Sequence, residues 1–159
     1  MVKGIGRAAF AAALGLALGG PALASGDAHE HGGHEAKLVL DHGKKWPTDE
    51  PLREGMSAIR NAVAKDVKAI HAGEAKPEQY RALAKKVEAE VAGIVQKCKL
   101  EPEADAQLHI VIAELLAGAE AMQGKGKGKG VEPRAGAERV AKALNAYGEH
   151  FAHEGWKRL

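Results

Sequence analysis

The sequence predicts an all-α protein: an antiparallel up-down-up-down four-helix bundle behind a disordered, His-rich N-terminal leader. Three observations carry that expectation. Stretches in the second two thirds of the chain repeat apolar residues at steps of three and four, the spacing of one helical face. Aromatic residues are only 4%, so the core is built from Ala, Leu, Val and Ile, which suits packed helices better than a β-sandwich. The connections are mostly short, which favours antiparallel neighbours. With 159 residues, 45% hydrophobic and 28% charged, the chain makes one globular domain and is neither collagen-like nor a polytopic membrane protein.

Helix starts and stops can be read in order. Thr48 or Asp49 caps the first helix, Glu50 and Glu54 favour its positive end, and Pro51 fits its first turn. Leu52, Met56, Ile59, Val63, Val67 and Ile70 form its apolar face, and Gly73 stands where it should stop. The second helix starts at Pro77, runs to about Lys99, and buries Tyr80, Leu83, Val87, Val91, Ile94 and Cys98. The third starts near Pro102 and lines one side with Leu108, Ile112, Leu115, Ala119 and Met122. Ile110, Ala113 and Ala117 add a second apolar strip, so this helix is either deeply buried or the contact of a homodimer. Gly124 to Gly130 alternates Gly with Lys and reads as a solvated loop, with the spacing of neither a P-loop nor a dinucleotide fingerprint. The fourth helix runs from about Pro133 to Phe151 on Val140, Leu144, Tyr147 and Phe151. Trp156 is expected to close one end of the bundle and Trp46 the other.

Ahead of the bundle stand two segments. Residues 1–24 read as a secretory signal peptide: Lys3 and Arg7 are positive, Ala8 to Leu18 is apolar but too short to anchor, and Ala22-Leu23-Ala24 is a cleavage signature. Cleavage removes Lys3 and Arg7 and leaves 21 basic against 21 acidic residues, without the basic footprint of a nucleic-acid partner. The implied destination is the periplasm, with no stable membrane anchor after processing. Residues 25–47 form the flexible leader and the lead-in to residues 48–159, the bundle; Leu38-Val39-Leu40 packs there as a short extended piece.

The residues able to carry chemistry are mostly histidines. Asp27, His29, Glu30, His31, His34 and Glu35 form a dense run of metal ligands, and neutral imidazoles suit copper, zinc and nickel. The expected ligands are His29, His31 and His34, with His42 joining them or serving as a loop residue. The opposing reading is a solvated leader whose histidines bind nothing. Gly26-Asp27-Ala28 offers a second cleavage point; it would make His29 the amino terminus and, with His31, a Cu(II) site. His71 sits where a helix end favours a cation, His109 flanks the third helix's stripe, His150 flanks the fourth helix's stripe, and His153 is expected further out. Cys98 reads as a small core hydrophobe and, as the single cysteine, makes no intramolecular disulfide and no CxxCH haem attachment. No Ser-His-Asp order and no HExxH occur, so the expectation is a non-enzymatic protein.

Leu52-Arg53-Glu54-Gly55-Met56 and Leu144-Asn145-Ala146-Tyr147 resemble the cytochrome b562 and cytochrome c′ group of exported four-helix bundles. That resemblance implies non-covalent haem held by a Met early in the first helix and a His in the fourth. Met56 matches the first position. The second falls immediately after Tyr147, where this chain has Gly148, and the nearest histidine is His150. The blocks GKKWPTDEPLREGM, KCKLEPEADAQLH and YGEHFAHEGW also resemble a set of small exported proteobacterial proteins, a likeness that supplies no chemistry. The primary expectation is a periplasmic metal-handling bundle. Haem-based electron transfer through Met56 and His150 is the alternative, and an interaction module using the Ile110 strip is the third reading.

Overall fold

A computed structural model describes residues 37–125 and 132–159. Four helices follow one another: α1 (Glu50–Ala72), α2 (Pro77–Lys97), α3 (Pro102–Met122) and α4 (Pro133–His150). Proline lies in the first two positions of each, where its missing N–H leaves no bond unmade. Sequence neighbours pack side by side and α4 closes against α1, giving the bundle its ring. The expected signal peptide, both cleavage points, His29, His31, His34 and most of the Gly/Lys loop lie outside the described residues.

Helix ends show the antiparallel order. Asp49 caps α1: its Oδ1 accepts from the Leu52 amide at 3.0 Å. Its Oδ2 accepts from the Lys99 amide at 2.6 Å, so the start of α1 is held to the end of α2. Burial alone would raise the Asp49 carboxyl; the amides of Lys99 and Leu52, the Cys98 thiol and Arg53 outweigh it and hold the pKa below 3.8. At the far end of α1, Gly73 takes the left-handed conformation (φ 73°) that the sequence expects of a terminating glycine. Gln79 of α2 donates to Asp66 of α1 near that end.

The core contains every apolar position expected on the stripe of α1 except Val67, which is half-buried, and all those of α3 and α4. The second strip of α3 differs from expectation. Val111, Gly118 and Ala121 are buried, whereas Ala113 is exposed and Ile110 and Ala117 are half-buried. The cause is the approach of α4. A methyl group on Gly118 would stand 2.7 Å from the Gly136 carbonyl oxygen, and one on Gly136 2.6 Å from that of Gly118. Backbones that close exclude any side chain larger than hydrogen, so the contact face is set by glycine rather than by bulk.

Before α1 the chain makes a tight turn. His42 (φ 47°) and Gly43 (φ 83°) occupy its centre, and Asp41 and Lys44 exchange both amide bonds. Trp46 then lies alongside the end of α4: its amide donates to the His150 carbonyl and its own carbonyl accepts from Ala152, each at 2.8 Å. Trp46 and Trp156 therefore both sit at the end of the bundle where α4 finishes, a correction to the expectation that they close opposite ends. Leu38 packs on the core edge, while Val39 and Leu40 stay largely exposed.

Candidate functional site

The polar grouping of interest lies where the chain folds back after α4. At Phe151 the backbone turns extended (φ −116°, ψ 139°), and the following residues are no longer on a helical wheel. This brings His153 inward, not outward as expected. Its Nδ1 lies 3.0 Å from the Tyr147 hydroxyl and its Nε2 3.3 Å from the Ser57 hydroxyl of α1. Tyr147 is completely buried and His153 Nδ1 is the one acceptor its hydroxyl meets among the described residues, so the O–H donates there. Nε2 then carries the ring proton toward Ser57 Oγ, leaving the serine O–H to donate elsewhere. Burial, with Arg53 adding, pushes His153 below 6.5, so the imidazole is neutral at neutral pH. Burial likewise raises the Tyr147 phenol.

Aromatic packing fixes this cluster. Tyr147 stacks on Phe151 at 5.1 Å between ring centroids and meets the edge of Trp156 at 4.9 Å. His153 lies 4.9 Å from Trp156. The indole rests on Gly148, and Trp156 Nε1 is buried without a hydrogen-bond partner among the described residues.

Two clefts flank the imidazole. One, of about 330 Å³, is lined by Ser57, Arg60, Asn61, His153, Trp156 and Lys157 among others. The second, of about 630 Å³, lies between the lead-in segment and the C-terminal segment and includes Thr48, Arg53, His153 and Glu154. Arg53 donates to both the carbonyl and the hydroxyl of Thr48, which fixes it on that side. Ser57, His153 and Tyr147 have the outline of a proton relay, but the group behind the imidazole is a hydroxyl. A neutral hydroxyl does not stabilise an imidazolium as a buried carboxylate does. The arrangement therefore suits binding and positioning better than base catalysis. Sequence reasoning missed it because each member is ordinary alone, and only the chain reversal after α4 joins them.

The residues singled out from the sequence are dispersed. His42 is at the turn tip, with its side chain 99% exposed and its Nε2 3.9 Å from Asp41. His71 lies in the last turn of α1 and His109 bonds back to the Asp105 carbonyl, both on the surface, as expected. Cys98 packs against the core as expected, but only half-buried, because it is the cap residue that ends α2; burial and the Asp49 carboxylate push its thiol up to about 12. Among the described residues no group of three His, Cys, Asp or Glu side chains is placed to hold a metal ion.

The residues of the haem reading also have fixed places. Met56 is fully enclosed in the core, so its sulfur reaches a ligand only if that core opens. His150 is half-buried, with Nδ1 bonded to the Ala146 carbonyl of its own helix at 2.8 Å. At Gly148, where the resemblance places a ligand, the Trp156 indole fills the space a side chain would need. These residues as they stand do not fit a haem.

Among the described residues no helix is long and apolar enough to cross a membrane. Comparison of the chain with family models, with curated proteins and with solved structures gave no match.

Proposed function

We propose that this chain is an exported, non-enzymatic metal-handling protein, in which ligands ahead of a four-helix bundle capture a transition metal such as copper or zinc. One observation supports the reading above others: Asp27, His29, Glu30, His31, His34 and Glu35 crowd ligand side chains into one short run. Imidazole and carboxylate together match the preferences of Cu(II) and Zn(II), with copper bound more tightly. His42, exposed on a turn fixed to the bundle, adds a fourth imidazole within reach in sequence. The positive start, apolar run and Ala22-Leu23-Ala24 of the first 24 residues support delivery to the periplasm.

The experiment is calorimetric titration of the full chain after removal of its leading 24 residues, with Cu(II) and with Zn(II). The variant His29→Ala/His31→Ala/His34→Ala should bind at least about tenfold more weakly, with an unchanged helical circular dichroism spectrum. Binding should also weaken as pH falls below about 6.5, where imidazoles protonate. Equal affinity in the two proteins would place metal capture elsewhere and end this reading.

A further inference from the structure

We infer that the cleft between α1 and the segment after α4 is a binding site for a small oxyanion, a carboxylate or phosphate carried on a compact body. Its lining is one-sided in charge. Arg60 and Lys157 are its charged lining residues, and no carboxylate lines it among the described residues; Glu154 belongs to the neighbouring cleft, and Glu149 is paired with Arg158 at 3.1 Å. The remaining polar groups are donors or can become so. His153 is committed through Nδ1 to Tyr147, which turns its Nε2–H toward Ser57 and frees the serine O–H to donate. Asn61 accepts from Arg60 at 3.2 Å, and its own amide N–H groups donate to no side chain or carbonyl among the described residues.

The cleft is also held in shape. The Arg60 Nε donates to the Lys157 carbonyl at 2.8 Å, clamping the returning segment to α1, and its Nη1 donates to Asn61 Oδ1 at 3.2 Å, so the guanidinium that lines the cleft is held in place. The ring of Trp156 gives one wall an apolar face. A planar or tetrahedral oxyanion is the group that matches a guanidinium fork, an ammonium and a hydroxyl together. The volume of about 330 Å³ is at the small end of ligand sites, which limits the occupant to a compact molecule. This site is independent of the metal-binding reading, since it uses none of the leader's histidines.

The test is an NMR titration of the full chain, stripped of metal with a chelator, using inorganic phosphate and benzoate as probes and chloride at matched ionic strength as the control. The Trp156 indole and Asn61 side-chain resonances should shift and saturate with at least one probe; phosphate alone identifies a tetrahedral anion, benzoate alone a carboxylate. Lys157→Gln should weaken binding several-fold, because the clamp uses the Lys157 carbonyl and survives. Arg60→Lys should keep part of the affinity and Arg60→Gln lose at least tenfold. Exposed Arg81→Gln, in the opening turns of α2 and outside the cleft lining, should change nothing. Shifts that do not saturate, that chloride reproduces, or that persist unchanged in Lys157→Gln and Arg60→Gln would overturn the assignment.

Discussion

The indole of Trp156 packs so closely on Gly148 that a single methyl group at 148 would collide with its Cδ1 and Nε1. The two residues are eight apart and on different segments, yet each determines the other. Glycine in an exposed helix interior ordinarily costs about 1 kcal/mol relative to alanine. Here it is the condition for seating the ring that covers Tyr147.

Gly148→Ala should therefore destabilise the protein by about 1–3 kcal/mol despite its better helix propensity. The displaced indole should also become more solvated. Urea unfolding followed by circular dichroism reads the first effect, and a red shift of tryptophan emission in a Trp46→Phe background reads the second. A more stable Gly148→Ala protein with unshifted emission would show that the ring is not held there.

Asp49 joins three parts of the structure through one carboxylate: the first turn of α1, the Lys99 amide and the Cys98 thiol. Asp49→Ala should cost about 1–2 kcal/mol, the range for a lost helix cap. Its folded pKa lies below 3.8, so its contribution is present above that value and fades as pH falls through the folded value. Acid unfolding of the variant should accordingly be flatter below about pH 4. The thiol gives a second readout. Without the carboxylate, Cys98 should fall from about 12 and react faster with iodoacetamide at pH 8.

His153 has the same sign of pH dependence for a different reason. Its folded pKa is depressed, mainly by burial and then by Arg53, so the folded form resists protonation. Stability should be full above the ordinary value of 6.5 and decline as pH falls from there toward the folded value. Arg53 and Arg60 flank the imidazole through the two clefts, the Tyr147 hydroxyl faces it, and Glu154 lines the Arg53 cleft without an ion pair to it among the described residues, so burial and Arg53 outweigh that carboxylate. Thermal denaturation between pH 7.5 and 5 should show the loss, and His153→Gln should remove it while lowering stability at neutral pH. An identical slope in both proteins would assign the dependence to other histidines.

Helix placement was legible because each helix depends on local signals: proline at its start and a 3.6-residue apolar period along its length. Pro77, Pro102 and Pro133 begin helices as expected, and Leu52, Met56, Leu108, Val140 and Tyr147 are all buried. Errors occur where the backbone leaves the helix. A helical wheel puts Cys98 on the core face and His153 outside, but the backbone is extended at Cys98 and at Phe151; Cys98 ends half-buried at the core edge, and His153 comes inward. Nor could periodicity show that Trp46 pairs with Phe151 across more than a hundred residues of sequence. The Ser57–His153–Tyr147 cluster depends on that same reversal and leaves no local trace.

The α3–α4 contact yields a prediction in which two chemically identical substitutions have opposite signs. Gly93 lies within α2 and a methyl group there would meet nothing within 4 Å. Gly93→Ala should stabilise the protein by about 0.5–1 kcal/mol through reduced backbone freedom in the unfolded chain. Gly118 also lies within a helix, so the same propensity gain is available to it. There, however, the new methyl group would meet Val140 and the Gly136 carbonyl at 2.6 and 2.7 Å. The carbonyl is backbone and cannot rotate away, so α4 must shift as a body. Gly118→Ala should cost about 1–3 kcal/mol net. The shift would also strain the Arg139–Glu114 pair, whose two bonds of 2.7 and 2.8 Å join the same helices. Matched urea titrations of the two variants decide the matter: if both gained stability, α3 and α4 could not be in backbone contact at Gly118 and Gly136.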